Sequence, residues 1–247
     1  MMLLGVNIDH AATLRQARYA QTPLAHNREP SVLEAALEAE RSGAHSITAH
    51  LREDRRHIQD ADIYDLRAGI ATKLNLEMGN APEIVEIAER VRPHFACLVP
   101  EKRQEVTTEG GLDVVHHAEA LAETTQRLQS VGTRVSFFID PEPGQVSASA
   151  RQGADMVELH TGTYANSTGA AREAELGRLI AAARQAFELG LQVNAGHGIT
   201  TDNLRGLFRI PHLTELNIGH HLMARAIFIG LSQSVREMLA VMAEYPQ

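Results

Sequence analysis

Five side chains that can move protons lie at or just after short apolar runs of this sequence. They are His10, His50, Glu77, Glu158 and His197. Burial raises the pKa of a carboxylate and lowers the pKa of a histidine, so both groups move toward neutrality. A set of such groups around one cavity suits a reaction with several successive proton transfers. The sequence therefore predicts a polar acid–base site.

Each of these residues, taken alone, also has a structural interpretation. His50, Glu77 or His197 could be a hydrogen-bonded core side chain, and that alternative stays open for each of them. For His160 the structural interpretation is preferred, because Glu158 in the same run already offers a proton-transfer group. It is also preferred for three histidines that are expected on helices, namely His116, His117 and His221.

Metal and Schiff-base chemistry are both disfavoured by the residue types present. The sequence lacks His-Glu-x-x-His and any cysteine-based zinc spacing, and its one cysteine, Cys97, lies in an apolar run. A Schiff-base enzyme needs a desolvated lysine. The chain has only Lys73, which begins an apolar run, and Lys102, in a charged segment. The sequence therefore predicts no metal and no lysine imine, so that the amine of any imine would come from a substrate.

Eight short apolar or β-branched runs predict β-strands, and longer segments of helical periodicity separate them. The predicted strands are Leu3–Asp9, Ser46–Leu51, Lys73–Met78, Phe95–Pro100, Arg134–Asp140, Met156–Thr161, Gln192–Gly196 and Glu215–Gly219. This alternation predicts a (β/α)8 (TIM) barrel with extra helices, and an open doubly wound sheet is the alternative. No change of composition divides the chain, so residues 1–247 are expected to form a single catalytic domain.

Helix signals and two long loops complete the predicted barrel. Ser31 and Glu34 fit a capping box at the start of a helix. Further helices are predicted over Glu83–Arg90, Leu112–Val131, Ala170–Leu189, Asn203–Phe208 and His221–Glu244. The segments Tyr19–Pro30 and Glu101–Gly111 are longer than the fold requires. The second is either a solvated loop or a lid that excludes water from the site.

Glycine-rich turns after the last two strands predict phosphate binding. Gly196-His197-Gly198 and Gly219-His220 are each expected to open onto a helix, whose N-terminal N–H groups complement an anion. The alternative is that glycine simply makes a good turn there. Several arginines after the first two strands could hold a second phosphate or be solvated, namely Arg15, Arg18, Arg52, Arg55 and Arg56.

Composition excludes several classes of partner. The net charge of −8 disfavours nucleic-acid binding, although a local site for small phosphorylated substrates can still be positive. No run of about 20 apolar residues predicts a membrane span. The first residues lack the basic region of a signal peptide, so a cytoplasmic location is expected.

Motifs along nearly the whole chain resemble those of the pyridoxine 5′-phosphate synthase family. They are residues 6–15 (VNIDHAATLR), 50–58 (HLREDRRHI), 75–78 (NLEM), 98–114 (LVPEKRQEVTTEGGLDV), 158–162 (ELHTG), 193–198 (VNAGHG) and 215–220 (ELNIGH). The resemblance implies a barrel enzyme that condenses 1-deoxy-D-xylulose 5-phosphate with 3-amino-2-oxopropyl phosphate. It also implies that no metal or organic cofactor takes part and that the enzyme is a homo-octamer.

The resemblance further implies a role for each matching residue. His50 and Glu77 would be general bases, His197 a proton donor, and Glu158 would stabilise charge in the transition states. The residues implied to contact the deoxyxylulose phosphate are Asp9, His10, Arg52, His57 and Thr107. Those implied to bind the amino-ketone phosphate are Asn7, Arg18, Gly198, Gly219 and His220.

Two other functions stay open on the residues alone. One is a barrel lyase or isomerase that acts on a single phosphorylated metabolite with Glu77 as its base. The other is a protein that binds such a metabolite without turnover. Either would keep the phosphate-binding turns but would not need two substrates.

Overall fold

A computed structural model describes residues 2–23, 25–101 and 110–246 of the chain. Its strands are β1 Leu3–Asn7, β2 Ser46–Leu51, β3 Lys73–Met78, β4 Phe95–Leu98, β5 Arg134–Ile139, β6 Met156–His160, β7 Gln192–Gly196 and β8 Leu213–Ile218. They pair in parallel in sequence order, and β1 closes the barrel against β8. The predicted TIM barrel is therefore confirmed, and the alternative of an open sheet is wrong.

Helices follow every strand on the outside of the barrel. They are α1 Asp9–Tyr19, α2 Val32–Arg41, α3 Asp60–Gly69, α4 Pro82–Val91, α5 Ala118–Ser130, α6 Pro143–Arg151, α7 Gly162–Asn166, α8 Gly169–Glu188, α9 Leu204–Leu207, α10 His220–Ile229 and α11 Leu231–Met242. Two helices rather than one follow β1, β6 and β8, which confirms the prediction of extra helices. The membrane prediction agrees too, since none of the described helices is long and apolar enough to cross a bilayer.

The two faces of the barrel wall differ in polarity. Alternate strand residues such as Leu4, Val6 and Leu76 belong to the large apolar cluster shared with the helices. The other face supplies a small apolar cluster of Cys97, Val99 and Phe138. Other side chains of this second face are buried and polar. They include Ser46, Thr48, His50, Asn75, Glu77, Glu158, Asn194, Glu215 and Asn217. Because buried polar groups are costly unless hydrogen-bonded, this lumen is the part of the barrel where a site is expected.

Two of the predicted helices have wrong boundaries. The segment Leu112–Val131 is helical only from Ala118, because the backbone N–H of Leu112 bonds to the carbonyl of Phe138 at the end of β5. The predicted helix His221–Glu244 is broken in two at Gly230, whose φ of 79° is incompatible with a right-handed helix. His116 and His117 therefore lie before α5, exposed, rather than on a helix.

Candidate active site

His50 lies between two carboxyl groups at the carboxyl end of the barrel. Parallel pairing of β2 with β3 sets His50 beside Glu77. The Nδ1 atom of His50 is 3.9 Å from Oε2 of Glu77, and its Nε2 atom is 3.0 Å from Oε1 of Glu101. The imidazole therefore hydrogen-bonds to Glu101 on one side and faces the carboxyl group of Glu77, at a longer distance, on the other.

Glu101 is a site residue that the sequence indicated only as the start of a loop. Besides His50, its carboxylate accepts hydrogen bonds from the backbone N–H groups of Gly79 and Glu53, at 2.9 and 3.1 Å. Burial alone would raise the pKa of Glu101. The hydrogen bond with His50 and the other contacts act in the opposite direction and together outweigh burial, so the pKa of Glu101 is lowered. An ionised Glu101 fixes the orientation of the His50 ring.

Glu77 and Glu158 are fully buried carboxyl groups that interact with each other. Burial raises the pKa of Glu77 well above its usual value, and the charge of Glu158 raises it further. Burial likewise raises the pKa of Glu158. A carboxyl group with a raised pKa keeps its proton to a higher pH than usual, so these two groups are suited to acid–base chemistry.

Amide side chains from β1 and β8 orient this carboxyl pair. Asn217 donates from Nδ2 to Oε2 of Glu158 at 2.6 Å, and Asn7 donates to Oε2 of Glu77 at 3.4 Å. Below them, Thr48 donates to Oδ1 of Asn217 at 3.0 Å and accepts a hydrogen bond from Asn75 at 3.3 Å. This buried network was not predicted, because its members are far apart in the sequence.

His197 sits at the end of β7 in a strained backbone conformation. Its φ is 79°, which a non-glycine residue adopts only when its surroundings hold it there. Thr161 provides that support, since its hydroxyl donates to the carbonyls of Gly196 and His197 at 2.6 Å each. Burial, aided by repulsion from His160 and His50, lowers the pKa of His197 to about 4.

The residues predicted for the deoxyxylulose phosphate surround His50. Asp9 accepts the backbone N–H of His50 at 2.8 Å, and the rings of His57 and His50 meet edge to face with centroids 6.0 Å apart. The buried Arg52 lies with Nε 3.8 Å from Asp54. His10 is slightly further round the barrel, with its ring 5.1 Å from that of His220. Thr107 lies outside the described residues.

Most residues predicted for the amino-ketone phosphate come together at the meeting of β8 and β1. A Cβ atom on Gly219 would lie only 3.0 Å from the side chain of Asn7, so the bare backbone is needed there. His220 begins α10 directly after it, which confirms that this turn opens onto a helix. Gly198, with φ of 70°, packs across the end of β7 against Ala165.

Two sequence expectations about phosphate binding need correction. The turn after β7 does not open directly onto a helix, because α9 begins only at Leu204 and has one turn. Four of the five arginines are already paired with carboxylates: Arg15 with Asp62, Arg52 and Arg56 with Asp54, and Arg55 with Asp60 and Glu83.

Arg18 is the predicted contact that the structure separates from the others. It lies exposed in the last turn of α1, away from the start of that helix at Asp9. Within the described residues it makes no hydrogen bond or ion pair with the other predicted contacts. The side chain therefore has to reach the site from another conformation if it is to contact a substrate.

One group of side chains in the site could hold a metal ion. Asp9, His50 and Glu77 each present a ligand atom, and these atoms lie within 4.8 Å of one another. Each residue already has a protein partner, since Asn7 donates to both carboxyl groups and His50 bonds to Glu101. Metal-free chemistry therefore stays a prediction, with these three residues as the place to test it.

Lys73 is unsuited to Schiff-base chemistry, because it lies at the end of the barrel opposite to the candidate active site. Lys73 begins β3 at the amino end, where its Nζ atom stacks over the ring of Phe95 at 5.1 Å. Lys102 lies outside the described residues. The interpretation that any imine uses a substrate amine agrees with the position of Lys73.

The chain matches known proteins along nearly its whole length. The family model described as pyridoxal phosphate biosynthesis protein PdxJ matches residues 4–244. Pyridoxine 5′-phosphate synthase of Akkermansia muciniphila is 59% identical over 238 residues, which cover 96% of this chain and 97% of that protein. The enzyme of the same name from Magnetococcus marinus is 53% identical over 245 residues, which cover 99% and 98%.

Solved structures show the same barrel at low identity. The structure of KGPDC from Streptococcus mutans superposes with a TM-score of 0.69 and 10% identity over the whole of both chains. That likeness concerns the fold alone, whereas the matches above extend through every strand end that carries the site. The chain therefore belongs to the family of the pyridoxal phosphate biosynthesis protein PdxJ.

Proposed function

We propose that this protein is a pyridoxine 5′-phosphate synthase, an enzyme of vitamin B6 biosynthesis. It condenses 1-deoxy-D-xylulose 5-phosphate with 3-amino-2-oxopropyl phosphate to give pyridoxine 5′-phosphate, inorganic phosphate and water. The membership of the family and the two closely related synthases support this assignment.

The observation that carries the proposal is the paired burial of Glu77 and Glu158 beside His50. Burial raises the pKa of both carboxyl groups, so a proton remains available to them near neutral pH. Loss of phosphate, loss of water and ring closure each need a proton removed at one atom and delivered at another. Buried carboxyl groups and a buried histidine whose pKa values are shifted in opposite directions are suited to supply acids and bases for such steps.

Each catalytic role follows from the contacts of its side chain. We assign His50 and Glu77 as general bases, since the two side chains lie beside each other at the carboxyl ends of β2 and β3. We assign His197 as the proton donor on the opposite side of the lumen. We assign Glu158, held by Asn217, to the stabilisation of charge in the transition states.

The two substrates are assigned to neighbouring halves of the site. The deoxyxylulose phosphate lies against Asp9, His10, Arg52 and His57, with Thr107 as a further proposed contact. The amino-ketone phosphate lies at the bare backbone of Gly219 and at the first N–H groups of α10, with Asn7, Gly198 and Arg18 as further proposed contacts.

The experiment that tests this function is mass spectrometry of the metal-free protein incubated with both substrates, together and singly. We expect a product of the mass of pyridoxine 5′-phosphate, with released phosphate, only when both substrates are present. Turnover of one substrate alone would support a lyase or isomerase instead. Binding of both substrates without any product would support a protein that binds phosphorylated metabolites without turnover.

We also propose that the whole chain is one catalytic domain that assembles into a homo-octamer in the cytoplasm. The exposed side chains of Ile227 and Phe228 on α10 are apolar surface that a neighbouring copy could cover. Met238 and Met242 of α11 do not contribute, because both are buried in the core of this chain. Light scattering of the purified protein tests the assembly, and cell fractionation tests the location.

A further inference from the structure

Glu101 lies where the chain after β4 continues alongside β3. The backbone N–H of Val99 bonds to the carbonyl of Met78 at 3.0 Å, so the pairing of the two segments extends beyond the last residue of β4. Glu101 follows two residues later, and only 10% of its side chain is exposed. A Cβ atom on Gly79 would lie 3.0 Å from the carboxylate of Glu101, so the bare backbone of glycine permits this close approach.

Two backbone N–H groups make the Glu101 carboxylate a hydrogen-bond acceptor. Gly79 donates to Oε1 at 2.9 Å, and Glu53 donates to Oε2 at 3.1 Å, so each oxygen carries one backbone hydrogen bond. Burial would raise the pKa of Glu101, but the hydrogen bonds with His50 and Glu53 and the charges of His50 and Arg52 together lower that pKa. An ionised carboxylate accepts hydrogen bonds and has no proton to donate.

This carboxylate therefore determines which nitrogen of His50 carries a proton. Nε2 of His50 is 3.0 Å from Oε1 of Glu101, and a hydrogen bond to an ionised carboxylate requires an N–H on that nitrogen. A neutral imidazole has a single N–H, so its other nitrogen, Nδ1, keeps a lone pair. Oε2 of Glu77 lies 3.9 Å from Nδ1, which is too far for a hydrogen bond. Among the described residues, Nδ1 thus has no hydrogen-bond partner.

The other polar groups around His50 agree with a proton on Nε2. Asp9 accepts the backbone N–H of His50, and the ring of His57 meets the His50 ring edge to face, so neither takes the place of Glu101 at Nε2. On the Nδ1 side, burial raises the pKa of Glu77 well above its usual value. Negative charge is therefore favoured beside Nε2 and disfavoured beside Nδ1.

We propose that Glu101 is a positioning residue that holds neutral His50 as its Nε2–H tautomer, so that His50 acts as a general base through Nδ1. The inference rests on the proposed function for the role of His50 as a base, whereas the tautomer rests on geometry alone. Glu101 is not among the residues for which the family resemblance implies a role.

One nitrogen of His50 both takes and returns the proton in this arrangement. Nδ1 accepts a proton from a substrate intermediate, the electrons of the broken bond stay on that intermediate, and the ring becomes an imidazolium. The proton on Nε2 stays where it is, and the negative charge of Glu101 stabilises the imidazolium through that hydrogen bond. Nδ1 then gives its proton to a leaving oxygen or to water, which restores the neutral ring.

The first test measures the tautomer in the wild-type protein without substrates. The method is solid-state 15N NMR of histidine-labelled protein at alkaline pH, where imidazole is neutral, with a His50→Gln sample to assign the signals. We expect Nε2 of His50 to be protonated and Nδ1 to be unprotonated, and we expect Glu101→Ala to show a mixture of both tautomers. A proton on Nδ1 in the wild type would overturn the proposal, as would an unchanged tautomer in Glu101→Ala.

The second test compares the kinetics of Glu101→Ala with those of a matched control, Asp155→Ala. Asp155 is a carboxylate at the amino end that accepts the backbone N–H of Val135 at 2.8 Å and has no histidine partner among the described residues. We expect Glu101→Ala to lose about 10-fold or more in kcat with little change in KM, and Asp155→Ala to keep its kcat.

The possible results of these two tests are distinguishable. Unchanged kcat in a folded Glu101→Ala variant, checked by circular dichroism, would overturn the positioning role. If that variant does not fold, the tautomer of the wild-type protein decides the inference. If the wild-type protein makes no product from both substrates, the proposed function fails, and the tautomer again decides whether Glu101 orients His50.

Discussion

The two ends of this barrel use the same residue types for different purposes. At the amino end, Glu215 is a buried carboxyl whose partner is the hydroxyl of Ser46 at 2.9 Å. His45 and His94 there accept backbone N–H groups of β1 and β3. At the carboxyl end, buried carboxyl groups and histidines face each other instead. Chemistry in this molecule is thus marked by titratable groups that contact one another.

The amino end has a cavity whose lining side chains mostly bond to one another. A cavity of about 590 Å³ opens at the amino end, lined in part by Arg134, Asp155, Phe187, Gln192 and His212. Its polar groups are already paired, since Arg134 bonds to Gln192 and lies 4.0 Å from Asp155. Its aromatic pair is stacked face to face at 3.7 Å. These contacts hold the strand ends together and leave little that would bind a ligand.

The largest expected effect comes from exchanging one buried carboxyl at each end for an amide. Glu77→Gln should lower kcat by about 100-fold or more while both substrates still bind, because the amide cannot accept a proton. Glu215→Gln should leave kcat at the pH optimum nearly unchanged, with a small shift of the profile because Glu215 also raises the pKa of Glu158. Steady-state kinetics and calorimetric binding measure both. Equal losses in the two variants would mean that the ends do not differ.

The pH dependence of stability provides a second measurement on the Glu77→Gln and Glu215→Gln variants. Burial raises the folded-state pKa of Glu77 and of Glu215, so each group costs stability as pH rises from the unfolded-state value toward the folded one. Both glutamine variants should therefore be at least as stable as the wild type at pH 8 in urea unfolding. A Glu77→Gln variant that is inactive because it is unfolded would contradict this.

A smaller effect is expected from the groups that orient these carboxyls. Asn217→Ala removes the donor to Glu158, so kcat should fall by about 10-fold, corresponding to the roughly 1–3 kcal/mol of a hydrogen bond to a buried polar group. Ser46→Ala removes the matching donor to Glu215 and should cost only stability, on the order of 1 kcal/mol. If Ser46→Ala lowers kcat as much as Asn217→Ala does, the two ends of the barrel do not differ in function.

The histidines of the amino end should show an effect on stability alone. Burial lowers the pKa of His45 and of His94, so the folded state loses stability as pH falls through the ordinary histidine pKa toward the lowered one. Replacing both by glutamine should reduce the difference in urea midpoint between pH 7.5 and pH 5.5. This interval of about two pH units brackets the ordinary pKa of histidine. Enzyme activity at pH 7.5 should not change, and a large fall in kcat would show that this end also takes part in the reaction.

The fold was predictable because it depends on local patterns, whereas the contacts within the site were not. Each predicted strand was found within two residues of its predicted ends, since a strand buried on both faces is a short apolar run. The polar strand ends located the site. Asp140 with His160, and Asn217 with Glu158, pair across 20 and 59 residues, and no local pattern indicates such a pair. Leu112 and Val114 were wrongly assigned to a helix. Their apolar side chains suit the start of a helix but suit the turn that precedes α5 equally well.

The two ends also differ in metal binding. Among the described residues, only the carboxyl end has a group of side chains that could hold a metal ion. A cation at Asp9, His50 and Glu77 would need an ionised Glu77, which burial disfavours, and it would compete with Asn7 and Glu101 for the same side chains. We therefore expect that dialysis against EDTA, checked by elemental analysis, leaves kcat unchanged, and that added Mg²⁺, Mn²⁺ or Zn²⁺ does not raise it. Loss of activity on dialysis, with recovery after one of these ions is restored and no recovery in Asp9→Asn, would show that the site is a metal centre. His50 and Glu77 would then both be ligands, and the role of proton acceptor would pass to Glu158.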